Sequence, residues 1–232
     1  MIENAPYIDQ VYERLLDLIS TGELQPGERI RQWVLADRLG VSRQPISHAL
    51  QLLKHQGLVQ EAGKQGVQVT PLDFRHLADL YDVRALVEEK AAHLAAERVK
   101  NHLASTAEID ALKDALSNGL QAVDSREPAA ALARADYRFH VALYRLSGNQ
   151  VIEQFMQGQW PHMLRSMLAV LDYGEVKAVR LAWHEHAEIA EQVLSGNLAG
   201  ASACCKDHLQ RARRELSSRL EHLTTETGKG LH

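Results

Sequence analysis

Four side chains able to bind a cation fall where a helical protein is expected to place apolar ones. In the segment 129–147 the stripe expected to face inward reads Leu132, Asp136, Phe139, His140, Leu143. In 175–195 it reads Val179, Ala182, His186, Ile189, Ala190, Val193, and in 197–223 it reads Leu198, Ala201, Cys205, His208, Ala212, Leu216. Asp136 and His140 stand at i, i+4, so they share one helical face and can chelate jointly. His184 falls instead with Arg180, Glu188 and Glu191 and is expected to face outward.

Burying an unpaired carboxylate costs several kcal/mol, and buried imidazoles need partners too. A lone buried histidine is usually a satisfied core residue. Three imidazoles and one carboxylate, all aimed inward from three helices, are satisfied together by one divalent cation. This donor set suits Zn²⁺, Ni²⁺, Mn²⁺ or Fe²⁺. An open coordination position invites an anionic ligand such as a small carboxylate. The inner stripe Leu77, Leu80, Arg84, Val87, Ala91, Leu94 supplies a guanidinium to hold it. Arg84 needs an anion there, either the bound acid or a carboxylate of the protein. Arg165, in a helix expected to start at Pro161, is a second candidate for the ligand. Cys204, four residues before His208, reads as a small core residue.

The elements that must position these groups divide the chain into two parts. The 232 residues are 45% apolar and only 5% aromatic, rich in Ala and Leu, which favours helices over strands. The two cysteines, Cys204 and Cys205, are adjacent and cannot staple a fold, which fits a reducing compartment. Glu3 and Asp9 stand where a signal peptide has basic and apolar residues, and no apolar run approaches the roughly 20 residues of a membrane span. A cytoplasmic protein with no membrane partner is expected.

Residues 7–20 carry the helical stripe Ile8, Val11, Tyr12, Leu15, Leu16, Ile19, ended by Gly22 and Pro26-Gly27. A short helix over 31–39 closes at Gly40. Ser42 is placed to cap a third helix, with Pro45 in its first turn, running to about His55. The segment LVQEAGKQGVQVT then alternates around Gly63-Lys64-Gln65-Gly66 and reads as a hairpin. Three helices and a hairpin outline a winged helix-turn-helix in residues 1–71. Residues 72–225 read as about six helices in an antiparallel bundle, punctuated at Asn101, Asn118-Gly119, Pro128, Gly148, Gly174 and Gly196. Residues 226–232 read as a flexible tail.

Charge supports this division. The chain has a net charge of −4, yet residues 29–70 hold six basic side chains against two acidic ones. A helix-turn-helix sends the first turns of its second helix into the major groove, which nominates Arg43, Gln44, Ser47 and His48 as base readers. Arg pairs best with guanine edges and Gln with adenine. Arg31 and Lys64 are placed for phosphates. The expected partner is double-stranded operator DNA. Its paired half-sites call for a homodimer.

The run LGVSRQPISHALQLLKHQGLV resembles the corresponding stretch of the GntR family of bacterial transcription regulators, over about residues 7–70. It departs at Ser47 and His48, where that family usually has Arg and Glu, and at Ala62, where an Arg is common. The spacing of Asp136, His140, His186 and His208, with the contexts EHAEI and KDHL, resembles the all-helical FCD effector domain carried by many of these regulators. The resemblance covers about residues 73–223 and implies a metal role for these four residues. The expected function is therefore a ligand-responsive transcription regulator and not an enzyme. Two alternatives are a metal-dependent hydrolase and a constitutive DNA-binding protein whose metal is purely structural.

Overall fold

The computed structural model describes residues 5–63, 66–171 and 176–228, with side chains left undescribed at a few of these positions. It is mainly α-helical and divides into two compact units. The first comprises Met1–Asp73 together with Pro161–Ser166, and the second Phe74–Trp160 together with Met167–His232.

In the first unit, α1 (Ala5–Ser20), α2 (Gln32–Leu39) and α3 (Arg43–His55) pack around one apolar core. Leu15, Leu18, Ile46, Ala49, Leu53 and Leu58 lie fully or almost fully inside it. Leu15 and Leu18, with Ile19, form one helical face, and Ile46, Ala49, Leu50 and Leu53 form another. Gly40 adopts φ 67°, a left-handed conformation that a residue with a Cβ rarely takes, and its N–H closes the end of α2. Ser42 stands at the N-cap of α3, but its side chain makes no cap hydrogen bond, contrary to the expected cap. The hydroxyl is exposed instead.

The wing is more than the expected hairpin. β2 (Val59–Glu61) and β3 (Val67–Val69) pair antiparallel, with Gln60 opposite Gln68, and β1 (Arg29–Ile30) adds a third strand on the far edge of β3. Two residues are too few for a period-two signal to register in a sequence. Lys64 and Gln65, at the hairpin turn, lie outside the described residues.

The second unit is built from α4 (Phe74–Lys100), α5 (Thr106–Asp124), α6 (Ala129–Leu146), α7 (Gln150–Leu171), α8 (Val176–Leu194) and α9 (Leu198–Gly228). α4 packs most extensively on α9, α5 on α6, and α8 on α9. Ala91, Ala92, Ala95 and Ala96 are fully buried, and side chains this small let α4 approach its neighbours closely. Arg98 anchors the start of α5 and the end of α6. It pairs with Glu108 at 2.7 Å and donates to the Leu146 carbonyl at 2.7 Å. Glu108 also closes a capping box with Ser105. Arg98 and the Ser105 backbone hold the Glu108 carboxyl at about 2.

Three expectations about this region are corrected. Asn118-Gly119 is not a break: α5 runs through it, because Gly119 leaves room for the Trp183 indole. A Cβ at Gly119 would stand 1.7 Å from that ring. No helix begins at Pro161, which lies inside α7. α9 continues to Gly228, into residues expected to form a tail. Among the described residues, no helix is long and apolar enough to cross a membrane.

Candidate metal centre and nucleic-acid interface

α6 presents Asp136 and His140 one turn apart, and both are buried. α8 contributes His186, fully buried, and α9 contributes His208, which is 5% exposed. The four side chains meet. His186 Nε2 lies 3.3 Å from His208 Nε2 and 3.5 Å from Asp136 Oδ1, and His140 Nε2 lies 3.6 Å from Asp136 Oδ2. The three imidazoles offer ligand atoms all within 4.8 Å of one another. Ligands about 2 Å from a common tetrahedral centre stand about 3.3 Å apart, the separation found between His186 and His208.

The outward-facing ring nitrogens decide what the inward-facing ones carry. His208 Nδ1 meets Glu185 Oε2 at 2.7 Å, and His140 Nδ1 stands 2.8 Å from Glu88 Oε2. With the proton on its Nδ1, a neutral His208 presents an Nε2 lone pair toward His186, whereas His140 Nδ1 and Glu88 Oε2, though close, lack hydrogen-bond alignment. Such groups are satisfied either by a proton on His186 Nε2, which faces both His208 Nε2 and Asp136 Oδ1, or by a cation among them. His140 Nε2 is buried with no hydrogen-bond partner. The third ring, His186, is held by packing: it stacks on Phe139 at 4.4 Å and meets the edge of Trp183 at 4.8 Å.

Burial disfavours the charged form of His186 and His208. Burial pushes His186 well below the ordinary imidazole range, and the charges of His208 and His140 push the same way. Burial also lowers His208, against the opposite pull of Glu185. Burial alone raises the Glu88 carboxyl, but the charges of Arg84 and His140 outweigh it and hold Glu88 below the usual carboxylate range. A neutral imidazole at His186 and at His208 is the form that can ligate a cation.

A cavity of about 100 Å³ opens beside this cluster, lined by Asp136, His140 and His208 and, among others, by Arg84, Arg211 and Trp183. The anion expected for Arg84 is present in the protein: Arg84 Nε donates to Glu88 Oε1 at 2.6 Å. Its guanidinium lies 4.9 Å from the Tyr81 ring centroid. Arg165 does not join the cavity lining. It groups with the first unit, donates to the Thr70 carbonyl, and burial lowers its guanidinium to about 10. Glu88, Glu185 and Arg211 escaped the reading of the sequence. Glu88 stands one turn after Arg84 on the same face, an i, i+4 signal that was available. Glu185 had no comparable signal, because its role depends on how α8 and α9 meet.

His184 is exposed and pairs with Glu188 at 3.3 Å, as its outward face implied. Cys205 is fully buried and Cys204 half-buried, and burial pushes both thiols up.

In the first unit, Arg43, Gln44 and His48 are exposed on the first turns of α3, with Ser47 half-buried beside them. Arg43, Gln44 and His48 make no side-chain hydrogen bond or ion pair with the described residues. Arg31 is exposed at the start of α2. Between α3 and the wing runs an open groove of about 540 Å³, lined by Arg31, Trp33, Ser47, Gln51, Lys54 and Gly66 among others. Trp33 is 57% exposed there, an aromatic face the sequence reading did not single out. Lys54 is paired with Glu61 at 2.5 Å.

Comparison with known proteins agrees with this architecture. Residues 7–69 match the bacterial regulatory proteins of the gntR family, and residues 79–211 match the FCD domain. An uncharacterized HTH-type transcriptional regulator of Bacillus subtilis, YdhC, is 27% identical over 93% of this chain and 93% of its own length. An uncharacterized HTH-type transcriptional regulator from an unstable DNA locus of Streptomyces ambofaciens is 31% identical over 86% of this chain and 80% of its own length. The solved structure of E. coli McbR/YncC superposes with a TM-score of 0.79 at 21% identity, covering 92% of this chain and 98% of that one, a likeness of fold. These relatives are regulators rather than enzymes, which removes the hydrolase alternative. A winged helix-turn-helix followed by an FCD domain makes this chain a DNA-binding transcriptional regulator of the GntR family.

Proposed function

We propose that this regulator senses a small organic acid at a divalent metal held by Asp136, His140, His186 and His208. The observation that carries the reading is the cluster of three buried imidazoles, with ligand atoms within 4.8 Å of one another and the Asp136 carboxylate 3.6 and 3.5 Å from His140 and His186. The fit rests on that donor set and on the buried, unpartnered Nε2 of His140. Zn²⁺, Ni²⁺, Mn²⁺ and Fe²⁺ all accept such ligands. When bound, the cation supplies a Lewis-acid point for a carboxylate in the adjoining cavity, and Arg84 adds positive charge to the cavity wall.

Arg43, Gln44, Ser47 and His48 read bases in the major groove, and Arg31 and Lys64 hold phosphates. Two copies of the chain bind paired half-sites as a homodimer. An acid that binds one arrangement of the bundle better than another shifts the population, and so the fit of the two reading heads to DNA.

The test starts from an operator selected by the protein from random duplexes. Its affinity is measured by fluorescence anisotropy against a panel of small mono- and dicarboxylates, with metal-loaded protein, chelated protein and His208→Ala. At least one acid is expected to change the affinity of the loaded protein several-fold and to leave the other two unchanged. A broad panel without effect on the loaded protein contradicts sensing and favours a constitutive DNA-binding protein with a structural metal.

A further inference from the structure

Two arginines line the cavity beside the proposed metal, and each leads to a different ligating histidine. Arg84 Nε donates to Glu88 Oε1 at 2.6 Å, and Glu88 Oε2 stands 2.8 Å from His140 Nδ1, a close contact without hydrogen-bond alignment. Arg211 repeats the arrangement from α9. Its Nε and Nη2 donate to the two oxygens of Glu185 at 2.5 and 2.7 Å, and Glu185 Oε2 lies 2.7 Å from His208 Nδ1. Each carboxylate thus has a guanidinium on one side and an imidazole on the other. The two relays differ in exposure: the Arg84 and Glu88 side chains are 3% and 0% exposed, those of Arg211 and Glu185 20% and 17%.

We infer that Glu185 and Glu88 are positioning residues for the metal centre, Glu185 fixing the tautomer and direction of His208 through a hydrogen bond and Glu88 holding His140 by close contact, each anchored by an arginine that lines the cavity. The inference rests on the metal reading above. A ligating imidazole must keep its proton on the distal nitrogen and its ring aimed at the cation. A carboxylate at that nitrogen enforces both and makes the imidazole more basic toward the metal. His186 is held differently: its Nδ1 is buried without a hydrogen bond, Phe139 and Trp183 pack against the ring, and its Nε2 meets His208 Nε2 at 3.3 Å. The anchors extend the arrangement to the cavity wall. An anion arriving there meets guanidinium groups already engaged with the carboxylates that orient His140 and His208. Occupancy of the cavity and affinity for the metal are therefore linked, and each alters the other by the same factor. The Arg211–Glu185–His208 relay, being partly exposed, is the one such an anion reaches most readily.

The experiment uses the full chain, stripped by chelation and titrated with Co²⁺ alone against a competing chelator. The visible absorption of bound Co²⁺ reports ligand geometry, and the melting temperature of the metal-free protein reports fold. Glu185→Gln is expected to weaken Co²⁺ binding about 10- to 100-fold and to alter the visible spectrum, with the metal-free melting temperature little changed. Arg211→Met touches no ligand, yet is expected to weaken binding in the same direction by a smaller factor. For the buried relay, Glu88→Gln alone strands the Arg84 charge. The paired change Arg84→Met with Glu88→Gln removes both charges and is expected to weaken Co²⁺ binding as well. Wild-type Co²⁺ affinity and spectrum in both Glu185→Gln and Arg211→Met overturn the relays while leaving the metal reading intact. Failure of the wild-type chain to bind Co²⁺, with His208→Ala indistinguishable from it, sinks the metal reading and the relays together.

Discussion

His186 Nε2 and His208 Nε2 face each other at 3.3 Å across the interior of the FCD domain, with the Asp136 carboxylate 3.5 Å from the first of them. His208 places its other nitrogen on Glu185, so its inward nitrogen holds a lone pair. Burial keeps both rings from charging to relieve the contact. A proton on His186 Nε2 or a cation can complete this arrangement, and the second possibility is the physical core of the sensing proposal.

The space around His186 depends on a residue that carries no chemistry. Trp183 packs edge-on against His186 and occupies the volume that a side chain at Gly119 would fill. Gly119→Ala drives a methyl group into a buried indole and is expected to cost about 1–3 kcal/mol, as overpacking does. Because the indole must move, metal affinity is expected to fall with it. Thermal unfolding and metal titration of the one variant check both effects. A Gly119→Ala protein as stable as wild type contradicts the packing.

A second prediction concerns pH. Glu108 is ionised well below its usual range, held at about 2 by Arg98 and the Ser105 backbone. A depressed carboxylate stabilises the fold above its unfolded pKa of roughly 4.3 and loses that contribution as pH falls toward its folded value. Glu108→Gln is expected to melt below wild type near neutral pH by about 2–4 °C, the shift for a cap worth about 1 kcal/mol in a chain of this size. The gap is expected to close between roughly pH 4.3 and the folded value of about 2. Melting curves across that range decide it, and a gap that stays constant with pH refutes the assigned origin.

The DNA-reading helix yields a third. Arg43 is exposed on the first turn of α3 with no partner among the described residues. If it reads a base edge with both of its terminal nitrogens, Arg43→Ala costs about 1–3 kcal/mol on the selected operator and relaxes preference at one base pair. Arg31→Ala, a phosphate contact in this account, is expected to weaken all sequences alike and to reduce the salt slope by about 1. Anisotropy titrations over a salt series separate the two. An Arg43→Ala protein with unchanged operator affinity and preference removes that residue from base reading.

Much of this was legible in the sequence, for reasons that differ by element. The stripes of α6, α8 and α9 repeat at helical period, so Asp136, His140, His186 and His208 stood out as polar residues on apolar faces. Their convergence was inferred from cost: four buried polar groups need a shared solution. Glu185 was hidden, because nothing local marks a half-buried carboxylate as the partner of a histidine 23 residues later. Gly119 misled, because glycine signals a turn in a sequence and here serves contact with an indole. β1 was invisible at two residues. A helix was expected to start at Pro161, yet Pro161 lies within α7.

The central claim is that four side chains from three helices hold one cation. It is tested most directly by equilibrium dialysis of the full chain against Zn²⁺, Ni²⁺, Mn²⁺ and Fe²⁺ in turn, followed by elemental analysis. The account predicts about one tightly held ion per chain for at least one of these metals, reduced to background in a His186→Ala, His208→Ala double variant that remains folded by circular dichroism. A wild-type chain that retains none of the four, or a double variant that retains as much as wild type, contradicts it.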